Sequence, residues 1–459
     1  MSTITGLKKE IKRSRTAFEA FLNNLSPLNI PSLSLQAQPI DELCGILSEK
    51  PCFEGKTLFF IIDEYENLLD YQQTIVNTLI KHAEAYSFKV GVRELGWRRK
   101  STLNPQEQLT SPADYELIDI HQQLQDGSYS SLAAKICNHR IQKISGENAI
   151  SDVSQLFEDM SMEEEALKLG VLESVSIQLS ENEINSDKKQ FLKSIDPLET
   201  FFILYWARVK SIDLDDVIDE AMARGRSWKQ RYDNYKYSML FLIRRGKTGV
   251  RKYYSGWRTL LLLSGGNIRF LLQLLYESTQ IHNAEGFDYS IKISAETQTR
   301  AAQIIGKKNL SELEGLEVNG AQLTKLLLGL GRVFQVMARE LKGSAPETNQ
   351  FYIPADDTMN EEARVLLTSA VMHLALVRST GNKLADDSAL KDYDYSIHPI
   401  FAPFFVFSHR KKRKMSIESI QLMDLVANSK STIKEILESK NYTESVSYTH
   451  LTLPTTPYV

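Results

Sequence analysis

The sequence predicts an α/β unit with parallel strands, followed by an all-α stretch and then by helices that carry a two-stranded wing. Three observations predict it. Leu58-Phe59-Phe60-Ile61-Ile62 is a continuous apolar run of strand length ending in Asp63-Glu64, the pattern of a strand buried on both faces of a parallel sheet. A helical pattern and a second short strand follow, closing a strand-helix-strand unit whose length makes the two strands parallel. From Ser128 to about Ile305 the pattern is helical with interruptions, and beyond it helices precede a strand pair.

In chain order, the opening reads as a helix from Leu7 to Leu25, then a Pro- and Ser-rich link from Ser26 to Pro39, then a second helix from Ile40 to Lys50. After the strand at 58–62 comes a helix from Tyr71 to Ala85 with Ile75, Leu79 and His82 along one stripe. A strand at Phe88 to Val92 and a third candidate strand at Tyr115 to Ile120 complete the α/β part. The helical region includes Lys188 to Arg208, Arg231 to Arg245, and the pair Tyr253 to Leu263 and Ile268 to Ser278. The last third offers helices at Gln322 to Leu341 and Glu361 to Leu374. Strands at Ala375 to Ser379 and Tyr393 to Ile397 follow, divided by a polar loop from Gly381 to Lys391. Helices followed by such a wing describe a winged-helix module.

A chain of 459 residues, 42% hydrophobic and 24% charged, can bury one large core or several ordinary ones. No apolar stretch reaches bilayer length, and the basic opening (Lys8, Lys9, Lys12, Arg13, Arg15) precedes no signal-type apolar core, so no membrane partner and a cytoplasmic location are expected. Cys44, Cys52 and Cys137 form no Cys-x-x-Cys pair and read as isolated buried thiols. A net charge of -4 means that any nucleic-acid surface must be local.

An apolar strand delivering Asp63-Glu64 to its carboxyl edge supplies what nucleotide hydrolysis needs. Asp63 can hold magnesium, often through water, and Glu64 can orient or deprotonate an attacking water. The plainer alternative is that the two acids cap the strand and begin a polar turn. A nuclease or other hydrolase built on the same pair lacks a further acidic or histidine cluster to complete a metal site.

Phe59 to Leu68, followed by Lys89-Val90-Gly91-Val92-Arg93-Glu94, resembles the Walker B and sensor strands of a bacterial AAA+ type family similar to the origin-recognition-complex ATPases. Ser264-Gly265-Gly266-Asn267-Ile268-Arg269 resembles that group's sensor 2 turn. The resemblance runs in scattered blocks from Leu58 to Leu275. It implies ATP and magnesium as cofactors, homo-oligomers or protein partners, and an arginine, here Arg269, presented to the γ-phosphate. Gly265-Gly266 frees the backbone and Asn267 can cap the next helix, which would hold Arg269 in its first turn. Arg93 stands where such ATPases usually carry Asn or Thr. An arginine there is closer to the signalling ATPases called STAND proteins, where it resembles a γ-phosphate reader. Arg98, Arg99 and Lys100 suit a trans-acting finger or a solvated loop.

The expected organisation is a partial AAA+ core at 1–125, a helical lid and linker at 126–306, a winged-helix-like domain at 307–415 and a tail at 416–445. Residues 446–459 look like a translated sequencing adapter and are set aside. A phosphate-binding loop, Gly-x4-Gly-Lys-Ser/Thr, fits nowhere in the chain. Gly55-Lys56-Thr57 and Gly246-Lys247-Thr248 contain the final triplet, but Lys50 and Phe241 stand at the first glycine. The expectation is therefore a fragment whose natural protein extends beyond both ends, or else a degenerate ATPase that serves as a protein-interaction scaffold.

The cations Arg410, Lys411, Lys412, Arg413 and Lys414 follow the apolar run Ile400 to Phe407. They suit phosphate contact, making DNA a candidate partner of the C-terminal module, and suit a solvated exit from the fold equally.

Overall fold

The structure, a computed structural model, describes residues 4–24, 38–123, 127–144, 150, 152–244, 249–316, 318–340, 347–380, 390 and 393–442. The chain divides into two compact units, residues 1–118 and 119–459.

In the first unit, α1 (Ile4–Asn24) and α2 (Gln38–Ser48) precede β1 (Leu58–Ile62), α3 (Asp70–His82) and β2 (Tyr86–Val90). The strands are parallel, from Leu58 opposite Tyr86 to Ile62 opposite Val90, as the crossover requires. Three expectations for this unit are overturned. First, β1 is not buried on both faces: Phe59, Phe60 and Ile61 are 49%, 39% and 79% exposed. Among the described residues β2 is its only paired neighbour, and burial of a parallel strand needs further strands and covering layers. Its aromatic rings meet one another instead, Phe60 lying 5.7 Å from Phe88 and 5.1 Å from Tyr86 between ring centroids. Second, there is no strand at 115–120, where Leu117 and Ile118 are exposed. Third, the buried face of α3 is polar. Gln73 and Asn77 are fully buried while Ile75 and His82 are exposed, because the loop after β2 covers that face with backbone groups that amide side chains can satisfy. Cys44 is buried, whereas Cys52 is exposed.

The second unit begins with α4 (Ile120–Gln123), α5 (Ser128–Gln142) and α6 (Val153–Leu156). An aromatic-rich bundle follows, made of α7 (Met162–Lys168), α8 (Val171–Glu181), α9 (Ser186–Ser194), α10 (Pro197–Lys210), α11 (Leu214–Ala223) and α12 (Arg226–Met239). The helix expected from 188 to 208 is two helices. Pro197 takes the first position of α10 and the Asp196 carboxylate accepts from Leu198 N at 3.0 Å, so the chain restarts there. Phe202, Ile203, Ile218, Trp228 and Met239 form the centre of this bundle, and Trp228 Nε1 donates to buried Glu199 at 2.8 Å.

The remainder comprises α13 (Trp257–Ser264), α14 (Ile268–Ala284), α15 (Ala295–Glu314), α16 (Gly320–Arg339), β3 (Thr348–Tyr352), α17 (Glu361–Met372), β4 (Leu376–Thr380) and β5 (Tyr393–Ile397). It ends with α18 (Ala402–Phe405), β6 (Arg413–Ser416), α19 (Ser419–Ala427) and α20 (Ser429–Ser439). The boundary expected at 306/307 falls inside α15, which packs on both α14 and α16. The strand pair forms the antiparallel β4–β5, within a sheet ordered β4-β5-β3-β6 in which β6 runs parallel to β3. The polar loop from 381 to 391 lies outside the described residues except Leu390. Residues expected as a tail instead build α19 and α20, which bury Leu422, Leu425, Ile433, Ile436 and Leu437 and pack on α16. Helix approach is close here: a Cβ added to Gly331 would overlap the Phe405 ring.

Charge is buried where the bundle adjoins the rest of this unit. Lys252 Nζ lies 2.8 Å from Glu165 Oε1 with both side chains about one-tenth exposed, and it also donates to Tyr253 O at 2.7 Å. Tyr254, buried beside them, donates its hydroxyl to Phe407 O at 2.6 Å. The His409 ring lies 5.7 Å from the Tyr254 ring. Burial, reinforced by Lys252, Arg410 and Lys412, pushes its pKa down to about 3.

Removing one ion of the buried pair strands the other. Lys252→Met is expected to cost about 3–5 kcal/mol in denaturant unfolding, with Lys252→Met/Glu165→Leu recovering most of it. For His409 the native state favours the neutral ring. Its stabilising contribution is complete above the unfolded pKa of 6.5 and is lost as pH falls from there toward 3. The expected slope reaches at most about 1.4 kcal/mol per pH unit, and it flattens in His409→Phe when stability is followed by circular dichroism across that range.

Candidate functional site

Pairing continues past the strand ends and fixes the acidic edge. Gly91 N donates to Ile62 O at 2.8 Å and Tyr65 N to Gly91 O at 3.0 Å, so Asp63 and Glu64 leave β1 at its carboxyl edge beside Gly91. Asp63 Oδ1 accepts from Glu64 N at 2.9 Å, and a Cβ at Gly91 would stand 2.8 Å from that same oxygen. Any side chain at 91 would thus displace the carboxylate. Glu64 has a left-handed backbone, φ 55°, a conformation costing roughly 1–2 kcal/mol for a residue with a Cβ. Its Oε2 accepts from Asn67 Nδ2 at 3.1 Å. Both carboxylates are exposed.

Arg93 follows β2 and is held by an acid that sequence reasoning passed over. Its Nε lies 3.0 Å from Glu66 Oε1, and its backbone N donates to Glu66 Oε2 at 3.1 Å. Glu66 is 7% exposed, whereas the Arg93 side chain keeps 47% of its surface. The signal available was the third acid of Asp63-Glu64-Tyr65-Glu66, two residues beyond the exposed one. Farther along the loop, Arg98 and Arg99 reach Asp70 at 3.0 and 2.8 Å, and these two guanidinium groups hold its carboxyl below the usual range. Lys100 Nζ lies 5.8 Å from the centre of the Trp97 ring.

Gln73 fastens this loop. Its Nε2 donates to Tyr65 O at 3.2 Å and Gly96 O at 3.0 Å, while its Oε1 accepts from Arg98 N at 3.0 Å and Arg99 N at 3.2 Å. Asn77 Nδ2 adds Arg99 O at 2.8 Å and Ser101 O at 3.0 Å, and its Oδ1 accepts from Tyr65 Oη at 2.9 Å.

The second unit carries the other arginine. Gly265 and Gly266 both have positive φ, 56° and 81°, and Asn267 caps α14 by accepting from Arg269 N at 2.9 Å. Arg269 is 73% exposed in its side chain and 3.7 Å from Glu312. A Cβ on Gly265 would lie 2.6 Å from His398 Nε2, so this turn rests directly on the end of β5.

In the basic run, Lys412 pairs with Glu347 at 2.5 Å and Lys414 with Asp394 at 2.9 Å. The Arg410 guanidinium lies 4.4 Å from the centre of the Tyr237 ring. Lys411 and Arg413 are exposed.

A family model described as ORC-CDC6-like matches residues 1–417. The chain belongs to the ORC-CDC6-like family. The same comparisons matched no curated protein and no solved structure. Membership makes this an AAA+ ATPase-type chain, in line with the resemblance carried by the acidic strand and the Gly265–Arg269 turn. ORC-CDC6-like proteins generally bind ATP with magnesium. The residues here fit one half of that ligand. Asp63 and Glu64 are two exposed oxygen donors at a strand edge. That suits magnesium, which is held by one or two carboxylates with water and phosphate supplying the rest. The phosphate half is not met by the described residues: Gly55-Lys56-Thr57 enters β1 rather than a helix, and Gly246-Lys247-Thr248 lies outside the described residues. No helix among the described residues is long and apolar enough to cross a membrane.

Replacing Gln73 with leucine removes four hydrogen bonds from a fully buried position. The expected cost is about 2–4 kcal/mol, read as faster amide exchange at 96–101 with little change in the second unit.

Proposed function

We propose that this ORC-CDC6-like chain is part of a nucleotide-dependent switch. Asp63 holds magnesium and Glu64 orients water, while Arg269, at the start of α14 in the second unit, is the phosphate-reading arginine that the family resemblance implies. The observation that carries this reading is the parallel β1–β2 register, which sets Asp63-Glu64 at the edge where open parallel sheets take their ligands. Bound ATP and magnesium would supply the reacting phosphate and its counter-charge. Arg93, tied to Glu66, keeps the loop after β2 in place, and the resemblance gives it a phosphate-reading role.

DNA contact by residues 410–414 belongs to the same proposal. The β4–β5 hairpin with β3 supports a winged-helix reading, although a single helix, α17, separates β3 from β4. Two of the five cations are held by carboxylates, which lessens what the run gives to phosphate. A second reading, a protein-interaction scaffold on an ATPase-type fold, is favoured by the absent Gly-x4-Gly-Lys-Ser/Thr.

The test is nucleotide binding by the purified chain, with and without magnesium. Turnover is expected to be weak or absent, since the sequence given contains no Gly-x4-Gly-Lys-Ser/Thr to cradle the phosphates. Binding is expected to be magnesium-dependent, lost in Asp63→Ala and weakened about tenfold or more in Arg269→Ala, the value of one charge-assisted phosphate contact. Undetectable binding, or binding indifferent to both substitutions, makes the scaffold reading the correct one.

A further inference from the structure

Helix α1 runs for 21 residues, and none of its described side chains is buried. Its apolar residues are nevertheless sorted to one side. Ile4, Leu7, Ile11, Phe18, Phe21 and Leu22 fall within an arc of roughly 100° at 3.6 residues per turn, and Ser14 is the one polar residue inside that arc. Ile11 and Phe18 are 57% and 40% exposed, and the Phe18 and Phe21 ring centroids lie 6.4 Å apart. Apolar surface kept in water is unfavourable, and a contiguous stripe of it marks a place that a partner or a membrane covers.

Charge accompanies the stripe. Lys8, Lys12 and Arg15 stand along one border of it and Lys9 and Arg13 behind, against two acids, Glu10 and Glu19. This basic segment belongs to a chain whose net charge is -4. Among the described residues, Arg15 alone of the five cations is ion-paired, with Glu19 at 2.8 Å, and both side chains of that pair are more than half exposed. An exposed pair of this kind is weak and yields readily to a competing anion.

We propose that α1 lies on an anionic lipid surface, with its apolar stripe in the acyl boundary and its cations among the headgroups. A bilayer-length apolar run is a requirement for spanning, whereas lying at the interface needs one apolar face and a basic polar one. Lysine and arginine stems can run along the stripe while their charges stay wet, and Lys9 and Arg13 act on the surface from within a Debye length. The composition of the stripe selects this occupant. Ser14 and two phenylalanines occupy positions where a two-stranded coil takes aliphatic knobs, while phenylalanine suits the interface. A phosphate backbone alone would engage the cations and leave the stripe uncovered. None of these residues belongs to the nucleotide reading.

The probe is cosedimentation of the full chain with vesicles of phosphatidylcholine alone, or with about one-third phosphatidylserine. Binding is expected on the mixed vesicles, at least about tenfold weaker on neutral ones, and weakened by salt. Lys8→Gln/Lys12→Gln should reduce it about twentyfold, at about fivefold per cation near an anionic surface. Ile11→Ser/Phe18→Ser should reduce it about a hundredfold or more with every charge intact, which separates insertion from attraction. Both proteins should melt like the parent, since the exchanged side chains are exposed. Lys434→Glu, on α20 of the second unit, should leave binding nearly unchanged. Absence of binding to the mixed vesicles, or binding unaltered in either folded double variant, overturns the proposal. So does full competition by soluble glycerophosphate at matched ionic strength, which would make this a small-anion site. A doubling of mass in lipid-free solution that Ile11→Ser/Phe18→Ser abolishes would also overturn it, because the stripe would then be a seam between two copies.

Discussion

The first unit depends on one buried amide. Gln73 makes four hydrogen bonds, to the turn that follows the acidic residues and to the loop that follows β2. Two parallel strands with exposed faces have little apolar area to hold them, so directional bonds carry what a core would otherwise supply. The orientation of Tyr65, the path of the loop and the pairing of Arg93 with Glu66 all follow from α3 presenting amides rather than aliphatic side chains. A polar network of this kind is stable only when every member is satisfied, and here both ends of Gln73 are used.

Much of this architecture was legible in the residues. The run at 58–62 and its crossover partner, the cap at Asn267, and the strands at 376–380 and 393–397 follow from periodicity and capping chemistry, which are local. What was not legible depends on the company an element keeps. Periodicity assigns Ile75 to the inside of α3, yet Gln73 is there because of a loop some twenty residues away, and no local pattern reports that. β3 and β6 escaped notice because Thr348-Asn349-Gln350 and Arg413-Lys414 carry little apolar alternation. They become strands only by pairing with each other and with β5. Residues 419–439 resembled a tail because their apolar face is narrow, and α16 is what completes its burial.

The site residues divide in the same way. Asp63 and Glu64 lie at the edge their sequence context demands, because a strand's end is set by its own residues. Glu66 was overlooked since burial of a carboxylate is a tertiary fact, created by Arg93 folding back on it. The cations at 410–414 read as one patch in sequence. In the fold they are sorted, with Lys412 and Lys414 turned to carboxylates while Arg413 lies along α12.

The contact between Gly265 and His398 has a mechanical meaning. With no room for even a methyl group between them, the turn that begins α14 and the end of β5 behave like meshed gear teeth. Any side chain at position 265 would have to push the His398 ring aside, so the start of α14 can lie this close to the end of β5 only with glycine there. The bare α-carbon of one glycine thus sets how tightly α14 and the C-terminal sheet can be seated against each other.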